Sequence, residues 1–382
     1  MNLPEGISHV LVVGGGFSGM SAALEFSKRG VAVDLVEIDP GWRSYGAGIS
    51  LGGATLRAFR TLGVLDAFLA TGYAADGVNV FRADGAPIGA LPTPRIAGED
   101  VPGGGAIMRP ALAAILAQAT RASGTHVRLG CTVDSWTEDA QGIEVSFSDG
   151  TTSRYDLLVG ADGLYSTMRS RTFPNAPKPA YSGQGVWRAL FERPAEIATA
   201  SMWVGEGLKV GVNPVSQRLM YLFLTENRPS NDHVDPENFV AELRDLLGAF
   251  GAAEVKALRD RLGEHSQIVY RPLESLLMPR PWYAGRVVLI GDATHATTPH
   301  MASGACIGIE DAIVLAEECT REDARTLALA DRLARFDARR WERCRMVVEN
   351  SRRLGQIEIE GGDHMEHARI MRETLLALAA PV

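Results

Sequence analysis

Residues 9–38 read HVLVVGGGFSGMSAALEFSKRGVAVDLVEI, and this stretch decides the fold. HVLVV at 9–13 is a β-branched run, and GGGFSG follows it directly. SAALEFSKRG at 21–30 has helical spacing and ends on a glycine stop, before a second β-branched run, VAVDLVEI at 31–38. Strand, glycine turn, helix and strand in that order make two parallel strands joined by a right-handed crossover.

Gly14, Gly16 and Gly19 form GxGxxG at the turn, and Glu37 closes the second strand. The first glycine permits the turn, the second lets backbone approach a pyrophosphate, and the third lets helix pack on strand. The helix N-terminus offers free N–H groups and partial positive charge to phosphates, and Glu37 can accept hydrogen bonds from a ribose. The acid favours FAD or NAD over a 2′-phosphorylated cofactor and leaves the choice between those two open.

Working outward, 382 residues suit two domains, or one large domain with an insertion. Hydrophobic residues at 46% and charged residues at 22% are ordinary for a soluble globular chain. The formal net charge of -8, with no long basic cluster, argues against a nucleic-acid partner. Cysteines 131, 306, 319 and 344 form no CxxC and no metal-like pairing with histidine, so no metal is expected and a reducing compartment is. The N-terminus lacks a basic segment before its apolar run, and no stretch stays apolar for the roughly 18 residues a membrane span needs. These features point to a cytoplasmic protein without a membrane partner. Oligomeric state, monomer or homodimer, is not legible.

Further along, residues 73–104 are rich in Gly, Pro and Asp, with VNVFR at 78–82 as a short strand. A helix is expected at 111–123, strands in VRLGCTVDSW, IEVSFSDG and YDLLVGADG, and an antiparallel sheet with one helix near 236–249 between about 177 and 271. RVVLIGDA at 286–293 returns to buried parallel-strand character, and the chain is mostly helical from Gly304. Arginines interleaved with acids over 321–353 read as a solvated helical face. The expected architecture is α/β: a Rossmann-like cofactor domain in three parts (1–75, 101–176 and 272–350), an inserted, mostly antiparallel β-sheet substrate domain at 177–271 with an excursion to it at 76–100, and a C-terminal helical tail at 351–382.

The stretch GDATHATTPHMASGACIGIEDA at 291–312 places an acid straight after a buried strand and then small residues where a helix begins near Ser303. An acid there can hold a chain of hydroxyls, and the helix start can face a developing anion. A ribityl chain and a reduced isoalloxazine meet both demands.

GGGFSG with Glu37, the DG motif in LLVGADGLYSTMR at 157–169, and RVVLIGDATHATTPHMASGA at 286–305 occur in order. With them, the sequence resembles the single-component FAD aromatic hydroxylases of the 4-hydroxybenzoate hydroxylase fold, from about Val10 to Glu318. The resemblance implies that Gly14, Gly16, Phe17, Ser18, Gly19, Glu37 and Val133 hold the ADP half of FAD, with Arg43 and Arg109 supporting pyrophosphate and ribose. It also implies that Gly291 and Asp292 hold the ribityl chain, and that Pro299, Gly304, Ala305 and Cys306 border the flavin ring, with GAGISL at 46–51 behind it. Asp162 and Gly163 would brace the pyrophosphate and the region where the nicotinamide docks, or Asp162 would cap a helix starting at Tyr165. Arg43 and Arg109 have surface ion pairs as their alternative, and Cys306 reads as a packing residue rather than a nucleophile.

In such enzymes NADH or NADPH reduces FAD, O2 adds at flavin C4a, and one oxygen passes to an electron-rich ring, so no protein nucleophile is needed. With His300 and Lys209 both facing the cavity, the expected substrate is a small, acidic hydroxy-aromatic or hydroxylated N-heteroaromatic compound, such as a carboxylate or phenolate. His300, Lys209 and Tyr221 are the candidates to meet it, the latter two because they fall near positions that flavin-dependent urate hydroxylases use. 6-Hydroxynicotinate hydroxylases share a similar PHMAxGACxxIEDA run. Each candidate has a plain alternative: a turn histidine, a solvated lysine and a core tyrosine. A halogenase is disfavoured because GVWRALF at 185–191 lacks WxWxIP, and a plain NAD dehydrogenase has no use for the second turn. A non-catalytic FAD-binding regulator or ligand carrier stays open.

Overall fold

The computed structural model describes residues 6–382. Its organising element is a six-stranded sheet in the order Tyr283–Ala284, Val287–Leu289, Leu157–Gly160, His9–Val13, Ala32–Glu37, His126–Leu129, parallel except for the first pair. His9–Val13 sits inside this sheet, and Val10, Leu11 and Val12 have no exposed surface. Each such side chain withdrawn from water contributes about 1.5–3 kcal/mol. The reading of GGGFSG as strand-to-helix turn holds: the helix runs Phe17–Lys28 and lies beside the helix Gly304–Thr320.

Register brings the three motifs together. Val13 pairs with Gly160, and Gly160 with Leu289, so the glycine turn, Asp162 and Asp292 all leave the carboxyl ends of three adjacent parallel strands. That edge is where open α/β sheets bind ligands.

A second sheet has seven strands in the order Ile268–Ser275, Ala180–Glu192, Leu219–Asn227, Leu208–Pro214, Ala200–Val204, Val78–Arg82, Pro87–Leu91. All pairs are antiparallel except Ala200–Val204 with Val78–Arg82. The excursion at 76–100 thus supplies its last two strands. One face packs Trp187, Val210, Leu222 and Leu224 against Leu243 and Val255 of the helices Phe239–Leu247 and Ala253–Asp260. Strict alternation turns Arg188, Lys209, Asn213 and Tyr221 to the other face, where Tyr221 meets Ser50 and Lys209 meets Glu358. A small antiparallel sheet of Gly48–Gly52, Gly104–Met108 and Tyr73–Ala75 lies between the two.

Two expectations need correction. The arginine-rich stretch is not all solvated: in the helix Leu329–Glu360, Arg332 and Arg340 are buried. The helix expected at Tyr165 spans Thr167–Thr172, with Ser166 as its cap; Tyr165 is exposed.

Candidate active site

The glycine turn is built for close approach. Gly14 takes φ of 106°, and a Cβ there would lie 2.4 Å from Ala161 O; one on Gly19 would lie 1.9 Å from Gly14 O. A Cβ on Gly16 would meet nothing within 4 Å, so that face of the turn is open. Glu37 is held by Gly15 N–H at 2.7 Å and Asp39 N–H at 2.8 Å, one on each oxygen. A carboxylate has about four acceptor sites, so two remain for a ribose. Gly16, Phe17, Glu37, Trp42, Arg43 and Ala113 border one groove of about 370 Å³. Arg43 reaches this groove but is largely exposed and bonds Asp39 in its own turn. Trp42, with a left-handed φ of 45°, donates to Gly15 O at 2.8 Å and was not legible as a groove residue. Ser18 packs beneath the second turn, its Oγ 2.4 Å from where a Cβ on Gly291 would stand. Val133 is buried at the start of the strand Val133–Asp139.

Asp292 opens the short helix Asp292–His295. Its side chain is exposed, although many protein atoms surround the carboxylate. Burial raises its pKa, and His295 and Arg109 oppose that. Burial likewise lowers the Arg109 pKa, opposed by Tyr221 and Asp292. Among the described residues neither Asp292 nor the Arg109 guanidinium has a side-chain hydrogen bond, so Arg109 is no surface ion pair. Asp162 anchors the start of the helix Thr167–Thr172, accepting from Met168 N at 2.9 Å and from Ser166 Oγ.

A buried ion-pair centre fixes the turn at Gly291. Asp311 accepts from Gly291 N at 2.9 Å, His295 Nε2 at 2.5 Å and Arg340 Nε at 2.7 Å. Burial alone would raise the Asp311 carboxyl, but His295 and Arg340 outweigh it and hold it at about 2. Burial would lower His295, but Asp311 and Cys344 outweigh it and hold the imidazole well above its ordinary 6.5. His295, Asp311 and Cys344 have metal-like proximity, but Arg340 also donates to Cys344 Sγ at 3.5 Å, so a guanidinium already occupies their midst.

Pro299, His300 and Met301 form a 3-10 turn, and Ala302 follows with a left-handed φ of 47°. A non-glycine residue held there stores strain of about 1 kcal/mol, a feature that concentrates at ligand sites. The helix Gly304–Thr320 then starts without a side-chain cap, because Ser303 Oγ donates to Met301 O at 2.7 Å. Its first-turn amides, including those of Ala305 and Cys306, are therefore available to a ligand. Burial raises the Cys306 thiol far above its ordinary value, which suits a packing residue.

Next to this turn lies a cavity of about 1120 Å³, open mouth included, walled by Ser50–Thr55, Gly103–Ala106, Asn213, His300–Ser303 and one face of the C-terminal helix His364–Ala379. The substrate-side candidates meet it unequally. Tyr221 is buried, and its hydroxyl hydrogen-bonds Ser50 Oγ, which lines the cavity. His300 contributes to the wall, but its ring is only 1% exposed: Nδ1 meets Thr298 Oγ1 at 2.8 Å, and Nε2 lies 3.4 Å from Glu358 Oε2, beside Gly355. Lys209 Nζ donates to Glu358 Oε1 at 2.5 Å. Both basic candidates thus turn their nitrogens toward one acid. Burial lowers the His300 pKa despite Glu358, and keeps the ring neutral.

Comparison with known proteins shows the family. Residues 8–351 match the family described as FAD binding domain. The chain belongs to that family. It is 33% identical over 355 residues to aurachin C monooxygenase/isomerase of Stigmatella aurantiaca, covering 91% of this chain and 89% of that protein. It is 32% identical to 2-heptyl-3-hydroxy-4(1H)-quinolone synthase of Pseudomonas aeruginosa, covering 91% and 90%. The solved structure of Klebsiella pneumoniae HpxO with FAD and uric acid superposes with a TM-score of 0.85 at 26% identity, covering 98% and 97%. This FAD binding domain protein is a flavoprotein monooxygenase of the aromatic hydroxylase class with FAD as its cofactor. Its residues fit that group: the open face of Gly16, the free acceptor capacity of Glu37, the unpartnered Asp292 and Arg109, and the uncapped helix start suit its successive parts. Among the described residues no helix is long and apolar enough to cross a membrane.

Proposed function

We propose that this enzyme inserts one oxygen atom from O2 into a hydroxylated aromatic or N-heteroaromatic ring, using NADH or NADPH as reductant. FAD supplies the electron transfer and oxygen activation. The chain binds FAD, seats the ring beside it and excludes water. Gly14, Gly16, Phe17, Ser18, Gly19, Glu37, Arg43 and Val133 hold the ADP half; Arg109, Gly291 and Asp292 hold the middle; Pro299, Gly304, Ala305 and Cys306 border the ring.

The observation that carries the reading is that the cavity shares Ser303 and Cys306 with the uncapped helix start, so a ring in it lies against the flavin end of the cradle. The ring hydroxyl is met by the Tyr221–Ser50 hydroxyl pair. Lys209 and His300 act at one remove: through Glu358 they tie the sheet and the Pro299–Met301 turn to the long helix and fix the turn's position. Lys209 is matched by Glu358 and His300 is neutral, so neither supplies charge to an acidic substrate. One relative is named for a hydroxylated N-heteroaromatic, a 2-heptyl-3-hydroxy-4(1H)-quinolone, and HpxO was solved with uric acid; both are heteroaromatic rings, which supports that class.

The test is a screen of hydroxylated aromatics, pyridines and quinolines for ligand-stimulated NAD(P)H consumption by the FAD-loaded enzyme, followed by mass detection of a gain of one oxygen. A product 16 mass units heavier is expected. FAD that stays bound while no ring stimulates consumption would favour a non-catalytic FAD-binding role.

A further inference from the structure

Resting on the placement of the ADP half of FAD beside the glycine turn, we infer that Trp42 is a positioning residue for the cofactor. Its indole clamps Gly15 and so aims the turn, and Gly15 is a glycine because the indole lies on it.

GxGxxG asks for glycine at 14, 16 and 19 and leaves position 15 free. Gly15 takes no left-handed φ, so no left-handed turn demands glycine there. A Cβ on it would nevertheless stand 2.4 Å from Trp42 Nε1, and 3.1 Å from both Trp42 Cδ1 and Glu37 Oε2. At Gly14 and Gly19 the nearest obstruction is a backbone oxygen; at Gly15 it is this side chain. The turn requires those two glycines, and the indole requires this one.

Both polar groups of Gly15 are held from outside the turn. Its N–H donates to Glu37 Oε2 at 2.7 Å, and its C=O accepts from Trp42 Nε1 at 2.8 Å. The Gly15–Gly16 peptide is planar and trans, so fixing that C=O also fixes the opposing N–H of Gly16. Among the described residues the Gly16 N–H has no protein acceptor, and Gly16 borders the groove together with Phe17, Glu37 and Trp42. A free amide at a helix start suits a pyrophosphate oxygen. The indole thus acts on the cofactor through Gly15.

Trp42 is itself held in a costly conformation, since its φ of 45° is left-handed and it is not a glycine. Three contacts keep it there. Its backbone N–H donates to Asp39 O at 3.0 Å, its indole N–H donates to Gly15, and the Arg121 guanidinium, from the helix Arg109–Ala122, lies 5.1 Å from the ring centroid. Strain kept by several contacts beside a groove is the pattern of a ligand site.

Titration of the full-length apoprotein with FAD, ADP and riboflavin tests this, with ADP followed by competition against FAD. Trp42→Phe keeps a ring beside Arg121 but loses the N–H, and is expected to raise the FAD Kd about three- to tenfold. ADP is expected to weaken by the same factor, and riboflavin, which has no pyrophosphate, to bind as in wild type; a merely structural lesion would weaken both. Gly15→Ala displaces the indole and is expected to weaken FAD at least as much as Trp42→Phe. With Trp42→Ala already present, adding Gly15→Ala is expected to change the FAD Kd less than about twofold. Should Gly15→Ala fold poorly, the same rescue is read in the melting temperature. Wild-type FAD affinity in Trp42→Phe, equal weakening of ADP and riboflavin, or a Gly15→Ala loss that persists without the indole overturns this inference and leaves the cofactor reading intact. Wild-type protein that takes up no FAD overturns both.

Discussion

Arg340 donates through Nε to Asp311 Oδ1 at 2.7 Å, and neither side chain has any exposed surface. The same carboxylate holds Gly291 N, the residue before Asp292, so an ion pair inside the protein sets where the second cofactor motif stands. Removing one member of a buried pair strands the other, at a cost of about 3–5 kcal/mol. Arg340→Met is therefore expected to lower thermal stability by that amount and to weaken FAD retention, both read from one melting series with and without added FAD. Unchanged FAD affinity would separate the pair from the turn.

The pair also sets a pH window. His295 is raised in the fold, so its contribution is complete below pH 6.5 and is lost as pH rises through the folded value. Asp311 is lowered from 3.8 to about 2, so its contribution is present above 3.8 and is lost as pH falls through about 2. Stability from this centre is fullest between about pH 4 and 6.5. His295→Asn is expected to melt lower than wild type at pH 6, with the difference shrinking as pH rises; a constant difference from pH 5 to 9 would show that the imidazole is not charged.

The glycines make separable predictions. Gly19→Ala forces a Cβ to within 1.9 Å of a backbone oxygen and is expected to impair folding and FAD uptake together. Gly16→Ala meets no protein atom within 4 Å, so the FAD-free protein should melt within about 0.5 kcal/mol of wild type. Its added methyl stands where a pyrophosphate would lie, and FAD affinity should fall at least about tenfold. Equal FAD affinity in Gly16→Ala and wild type would place the pyrophosphate elsewhere.

Glu358 neutralises Lys209 across the gap between sheet and long helix. Burial alone would raise its carboxyl, but Lys209 and His300 outweigh burial and hold it well below the usual carboxylate range. Glu358→Gln is expected to destabilise the protein by about 1–3 kcal/mol and to shift ligand preference toward anionic rings. The ratio of Kd for 4-hydroxybenzoate to Kd for 4-hydroxyquinoline reads the shift; an unchanged ratio would mean that the Lys209 charge does not reach the cavity.

The cofactor cradle was legible because its demands are local. A strand must precede Gly14, a helix must follow, and an acid must close the next strand, so adjacent residues carry the signal. The substrate side was not legible, because its groups meet only in space. Glu358 lies 149 residues from Lys209, and nothing at either position announces the other. Arg340 stands in the same run as the exposed Arg335 and the partly exposed Arg345, and nothing in that run marks it as buried. Asn213 falls in the antiparallel sheet and Met371, Leu375 and Leu378 in the C-terminal helical tail, and they come together only at the cavity that both line.

FAD titration of the apoprotein tests most directly the proposal that Asp292 and the glycine turn grip two parts of one FAD. Wild type is expected to bind one equivalent and turn yellow, and Asp292→Ala, with its FAD-free melting temperature unchanged, to bind at least about tenfold more weakly for loss of a charged hydrogen-bond acceptor. Wild-type protein that stays colourless, or an Asp292→Ala protein that binds FAD as tightly as wild type, would contradict it.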